Sequence, residues 1–184
     1  TLTVGAGLSR NQVHAELRGV EGHCQLHGIS LLKDKQHGDM TTLVEHQREH
    51  GTSDQQVRTV LDDKAHGVFQ GKVHVHEGAQ KTDGYQLSNA LVLDKGAEMD
   101  TKPELEIFAD DVVCSHGATT GELDDQALFY LRTRGVPEQQ ARALVIRAFL
   151  GELSDQVSSA RFHDMIATHI DSWLEGYADG GSDA

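Results

Sequence analysis

Across residues 1–122 the apolar side chains come in short pairs separated by Gly, Asp and Asn, with no long helical period. Val4, Val13, Leu17, Val20, Leu26, Ile29 and Leu31–Leu32 open the region. Leu43–Val44, Val57–Val60, Val73–Val75, Leu91–Leu93 and Leu105–Ile107 continue it. From Val60 to Val75 is 15 residues, then 18 to Leu93 and 14 to Ile107, with Gly67, Gly71, Gly78, Gly84 and Gly96 as punctuation. Strands recurring at this spacing belong to a β-solenoid or a β-sandwich. Without helices between them, a βαβ architecture is disfavoured. Periodicity alone does not choose between solenoid and sandwich. Within the region, Val73 and Val75 point one way and Lys72, His74 and His76 the other, the alternation of a half-buried strand. Asn89–Leu93 reads as a more fully buried strand. The window 45–56 is the most polar and reads as a loop or an exposed strand and turn, with His46 and His50 exposed.

Residues 98–134 join this β-rich part to the C-terminal third of the chain. Leu105 and Ile107 alternate with Glu104 and Glu106, and Pro103 suits a strand start. After the loop Gly117–Gly121 the pattern turns helical. A first helix is expected over 124–134, with Asp124 as N-cap and Gly135 as its stop. A second starts at Pro137, with Glu138 favourable for the helix dipole and Ala141, Leu144, Val145, Ala148 and Phe149 on its buried face. A third comes after Ser154 as N-cap, with Val157, Phe162, Met165–Ile166, Ile170 and Trp173–Leu174 at helical spacing. The organisation expected is a β domain over 1–122, a helical domain over 123–178 and a disordered tail over 179–184. Residue 1 lies within Thr-Leu-Thr-Val, itself strand-like, so the β domain is expected to be incomplete at its N-terminal side.

The net charge of −13 offers no basic footprint for nucleic acid or anionic lipid, and both partners are disfavoured. No apolar run approaches the ~18 residues that span a bilayer. Two cysteines far apart, Cys24 and Cys114, argue against a disulfide framework and for a reducing, cytoplasmic setting.

Cys114 and His116 are two residues apart, so on regular strand they share a face. Thiolate and imidazole together suit iron, zinc or a nascent iron–sulfur cluster. Alone, such a pair is more often a buried cysteine beside a histidine with satisfied hydrogen bonds. Two ligands do not close a four-coordinate site, so any remaining ligands would come from elsewhere. His74 with His76 reads as a solvated strand face, and His23, Cys24 and His27 fit no zinc spacing. The acidic pairs Asp110–Asp111 and Asp124–Asp125 raise a β-solenoid polysaccharide hydrolase or lyase as a rival, against a turn and a helix cap. Aromatic residues make up only 5% of the chain, too few for a sugar platform. The chain has no P-loop signature, so any ATP hydrolysis belongs to a partner.

Several runs resemble the SufB/SufD family. They are Gly67-Val68-Phe69-Gln70-Gly71-Lys72, Ala79-Gln80-Lys81-Thr82-Asp83, Asn89–Leu93, Thr101–Ile107, Ala109-Asp110-Asp111-Val112, Cys114-Ser115-His116-Gly117-Ala118-Thr119 and Leu128–Gly135. The dense resemblance covers 64–150, and within the family Cys-Ser-His-Gly is more similar to SufD than to SufB. His66 departs, standing where the family pattern carries an arginine. The resemblance implies a right-handed parallel β-helix with a small C-terminal helical domain. It also implies a non-catalytic scaffold of iron–sulfur cluster assembly, pairing through the β-helix with SufB or a second copy and docking a SufC-type ABC ATPase through the helices. His116 and, less firmly, Cys114 are implied as ligands of a transient iron–sulfur cluster or iron, shared with the partner subunit. A structural adaptor that never touches iron is the alternative.

Overall fold

The computed structural model describes residues 1–180. After a short β1 (Leu2–Val4) the chain forms eight strands: β2 (Leu8–Leu17), β3 (His23–Leu32), β4 (His37–His46), β5 (Thr52–Leu61), β6 (His66–Val75), β7 (Asp83–Val92), β8 (Glu98–Ile107) and β9 (Val113–Gly121). Odd strands form one parallel sheet in the order β1-β3-β5-β7-β9, and even strands form the other, β2-β4-β6-β8. Consecutive strands thus lie in opposite sheets and each pairs with the strand two further on. This is a parallel β-solenoid, not a sandwich of hairpins.

Each coil needs a tight reversal at both edges. Glu21, His50 and Lys81 take left-handed φ of 59°, 59° and 61° at one edge, and Asp34 and Asp63 take 57° and 55° at the other. These turns also stack, because His50 N–H donates to the Gln80 carbonyl and Lys64 N–H to that of Asp34. The strain of L-residues at positive φ, of order 1–2 kcal/mol each, is held by those turn-to-turn bonds.

Inside, Leu32, Val57, Leu61, Met40, Val44, Phe69, Val73 and Val75 are buried between the sheets. The outer face of the odd sheet is also apolar over its C-terminal half, where Ile29, Leu31 and Val60 meet the helices. This explains the unbroken apolar runs at Leu31–Leu32 and Val60–Leu61, which are covered on both faces.

The helices are α1 (Asp125–Thr133), α2 (Glu138–Ser154) and α3 (Ala160–Gly180). Asp124 caps α1 by accepting from Gln126 N–H at 2.8 Å, and Gly135, at φ 86°, comes just after its end, as expected. Five other expectations are corrected. Pro137 is the N-cap of α2, and its fully buried residues are Ala141, Ile146, Leu150 and Leu153; of the expected face, Ala141 is buried and Val145 and Phe149 pack against the core, while Leu144 and Ala148 are exposed. That rotation lets α2 fill the gap between the odd sheet and Ile170, Trp173 and Leu174 of α3. Ser154 ends α2 instead of capping α3, while Phe162 and Met165 face outward. Pro103 lies in the middle of β8 and not at its start, which an edge strand tolerates because one side of its ladder is unpaired. Of the tail expected over 179–184, residues 181–184 lie outside the described residues.

Arg58 ties the two parts together. From the outer face of β5 it donates to the Phe149 carbonyl at 3.2 Å and to Glu152 at 2.6 Å, with its guanidinium 4.7 Å from the Phe149 ring centre.

Candidate functional site

The odd sheet ends at β9 and the even sheet at β8, so both sheets end in the same last coil, and that coil has no further coil stacked on it. Cys114 and His116 lie on β9, in register with Gly84 and Gln86 of β7. Their direction is set by the neighbours. Cys114 packs with inward Val73, Val75 and Ala79, whereas Thr119 Oγ1, an odd step away, donates to outward Asn89. Strand alternation then turns both Cys114 and His116 to the inner face, as their spacing predicts.

Their environments differ. Cys114 is half-buried, and burial pushes its thiol above the usual range; a backbone hydrogen bond from Gly84 opposes this, and Asp83 adds to it. The group therefore rests as a protonated thiol at neutral pH. The close approach depends on Gly84, where an added Cβ would sit 3.2 Å from the sulfur. His116 is exposed at the open rim. Among the described residues no set of three or more His, Cys, Asp or Glu side chains is arranged to hold a metal ion. The pair thus offers two soft-to-intermediate donors and leaves the other positions of a tetrahedral site to an outside source. Nearer the helices, a cavity of about 530 Å³ is lined by Val92, Ala97, Met99, Thr120, Leu128 and Arg142.

The other candidates disperse. His74 accompanies Lys72 on Glu106, at 3.0 Å and 2.6 Å, while His76, just past the end of β6, meets Glu45 at 3.1 Å. His14 meets the same Glu45 at 2.7 Å. Shared carboxylates on the outer face hold these imidazoles, in keeping with a solvated strand face. His66, the departure from the family pattern, meets Asp100 at 2.8 Å on that face. His23 pairs with Thr52 and His27 with Asp54, both on the face opposite Cys24. Asp111 is held by Lys81, and Asp124 caps α1, so these acids have structural partners.

The polar window 45–56 departs furthest from expectation. His46 is fully buried and bonds Ser53 Oγ at 2.9 Å; burial pushes its pKa down to about 4, so it is neutral. Gln55, also buried, accepts from Thr42 Oγ1 at 2.7 Å. Only His50 of the two histidines sits in a turn. Sequence polarity hid these residues, but their register exposes them: Leu26, Gln55, Gln86 and His116 occupy the same rung position in successive coils of the odd sheet. The repeats Asp34-Lys35, Asp63-Lys64 and Asp94-Lys95, spaced 29 and 31 residues apart, carry that register in the sequence.

The structure is thus a parallel solenoid with a thiol–imidazole pair on its last strand and helices packed on one outer face. The description "SUF system FeS cluster assembly, SufBD core domain" matches residues 1–149, and the chain belongs to that family. It is similar to the iron–sulfur cluster assembly protein SufD of Escherichia coli, 37% identical over 95% of this chain and 41% of the relative. A SufBD family protein of Synechocystis is 38% identical over 86% of the chain and 35% of its own length. One of Mycobacterium tuberculosis is 33% identical over 95% and 46%. The chain therefore spans less than half the length of these curated relatives. Among the described residues no helix is long and apolar enough to cross a membrane.

Proposed function

We propose that this chain is part of a SufD-like, non-catalytic scaffold for iron–sulfur cluster assembly, with His116 and Cys114 as its contribution to a site completed by a partner subunit. The observation that carries the reading is the position of the pair: adjacent inward sites on the last coil, with no third protein donor in place among the described residues. A site poor in its own ligands suits a scaffold that must release what it builds. His116 offers an imidazole nitrogen. Cys114 holds its proton until a cation or nascent cluster displaces it, because metal coordination stabilises the thiolate that burial disfavours.

The unpaired edges of β8 and β9 are the surface for a second solenoid, SufB or another copy of this chain, joined through backbone hydrogen bonds. Exposed Val113 and Phe108 flank those edges. The helices, taken as a functional unit over 123–178, would dock a SufC-type ATPase in the cytoplasm through exposed Phe129, Tyr130, Phe162 and Met165. The Arg58 clasp gives movement of α2 a route into β5.

The test is cluster build-up in the assembled complex. His116→Ala is expected to abolish it while folding and assembly persist. A normal cluster yield from that variant sinks the ligand role and favours an adaptor that binds the ATPase without touching iron.

A further inference from the structure

The interior of the solenoid carries polar side chains whose bonding is incomplete. Gln86 is fully buried, yet both its Oε1 and its Nε2 lack a hydrogen-bond partner among the described residues, as does Gln55 Nε2. A buried amide left this way is costly, and such groups ordinarily find partners. The space for Gln86 is also specific, since a Cβ on Gly71 of the facing sheet would collide with its amide nitrogen. Glycine at 71 and a long amide at 86 are therefore matched.

Two neighbours in the column can supply the missing bonds to its Oε1. One coil before it stands Gln55, whose Oε1 is occupied by Thr42 Oγ1 and whose Nε2–H is free to donate. One coil after it stands His116, inward-facing and one strand spacing of about 4.8 Å away. An amide oxygen has two lone pairs, and a neutral imidazole carries one N–H and one bare nitrogen.

We propose that Gln86 is a positioning residue for His116: its Oε1 accepts Gln55 Nε2–H on one side and a ring N–H of His116 on the other. This holds the imidazole against the column and fixes its tautomer, so that the remaining nitrogen is bare and aimed at the open end of the solenoid. The inference rests on the reading of His116 as a ligand and adds what orients it. Outer hydrogen bonds of this kind set ring orientation and donor nitrogen in histidine sites generally.

The experiment uses the full chain, metal-free, labelled with ¹⁵N-histidine at pH 8, where exposed imidazole is neutral. Ring correlations of His116 are identified by their loss in His116→Ala. In the wild type one His116 tautomer is expected to exceed the other by about tenfold more than in exposed His50, the bias of an ordinary hydrogen bond. Gln86→Leu is expected to erase the difference, and Gln86→Glu, which keeps an acceptor oxygen, to retain it. A His116 ratio equal to that of His50 in the wild type overturns the proposal without any variant at position 86. So does a ratio unchanged in Gln86→Leu; if that variant does not fold, Gln86→Met takes its place. The outcomes also separate the two readings. Normal clusters from His116→Ala end the scaffold-ligand role and leave the tautomer result standing, whereas an unbiased tautomer removes only the orienting role of Gln86.

Discussion

Replacing Arg58 by alanine should loosen the helices from the solenoid far more than the small size of the contact implies. Arg58 is almost buried, its side chain 11% exposed, against 69% for its partner Glu152. The charge-assisted bond to the Phe149 carbonyl is worth about 1.5–3 kcal/mol. The largely exposed pair with Glu152 adds about 0–1 kcal/mol. The Phe149 ring under a desolvated guanidinium adds about 1–2 kcal/mol. These contributions share one side chain and do not add fully, so a net loss of about 3 kcal/mol is expected.

Because the clasp joins α2 to β5, the loss should fall on the opening of the helices. Native-state hydrogen exchange reads this directly: the amides of Leu150 and Leu153 should exchange about a hundredfold faster, with β5–β7 less affected. Glu152→Ala should cost less than about 1 kcal/mol, and Arg58→Lys should fall between, since an ammonium lacks the planar fork. Exchange at α2 less than about threefold faster in Arg58→Ala, or a Glu152→Ala effect of equal size, would refute the reasoning. Either result would assign the docking to the apolar cluster of Ile146, Leu150, Trp173 and Leu174 alone.

His46 makes stability pH-dependent. Its pKa is about 4 in the fold against 6.5 in the unfolded chain. Its share is complete above pH 6.5 and is lost as pH falls toward about 4, up to about 3 kcal/mol; urea midpoints of the wild type and His46→Asn at pH 7.5 and 5 measure it. Gly71→Ala should destabilise by about 1–3 kcal/mol, because the methyl group meets Gln86 and the Phe69 ring; a thermal melt matching the wild type would mean that Gln86 has another rotamer available.

The legible parts of the fold were those where one face of an element decides its sequence. Alternation at Lys72–His76, the Asp124 cap and the Gly135 stop were each readable because the cause lies within a few residues. Faces set by distant partners were not. The α2 stripe was placed about one residue, roughly 100°, away because Ala148 and Phe149 look as apolar as Leu150 and Leu153, and only the β5 surface and α3 select among them. His46 and Gln55 looked solvated because polarity is a local property, whereas the hydrogen bonds to Ser53 and Thr42 that allow their burial form across the fold.

The candidate site divides in the same way. By itself the sequence determined that Cys114 and His116 share a face, since strand side chains alternate with a period of two. It also determined the family, through many short runs in a fixed order. Only the tertiary structure decided which face they share, that no further coil stacks on theirs, and that Gln86 stands one rung away. Those facts depend on how strands some 30 residues apart align, and that register is set by stacked turns and by packing between two sheets, not by any one stretch of chain.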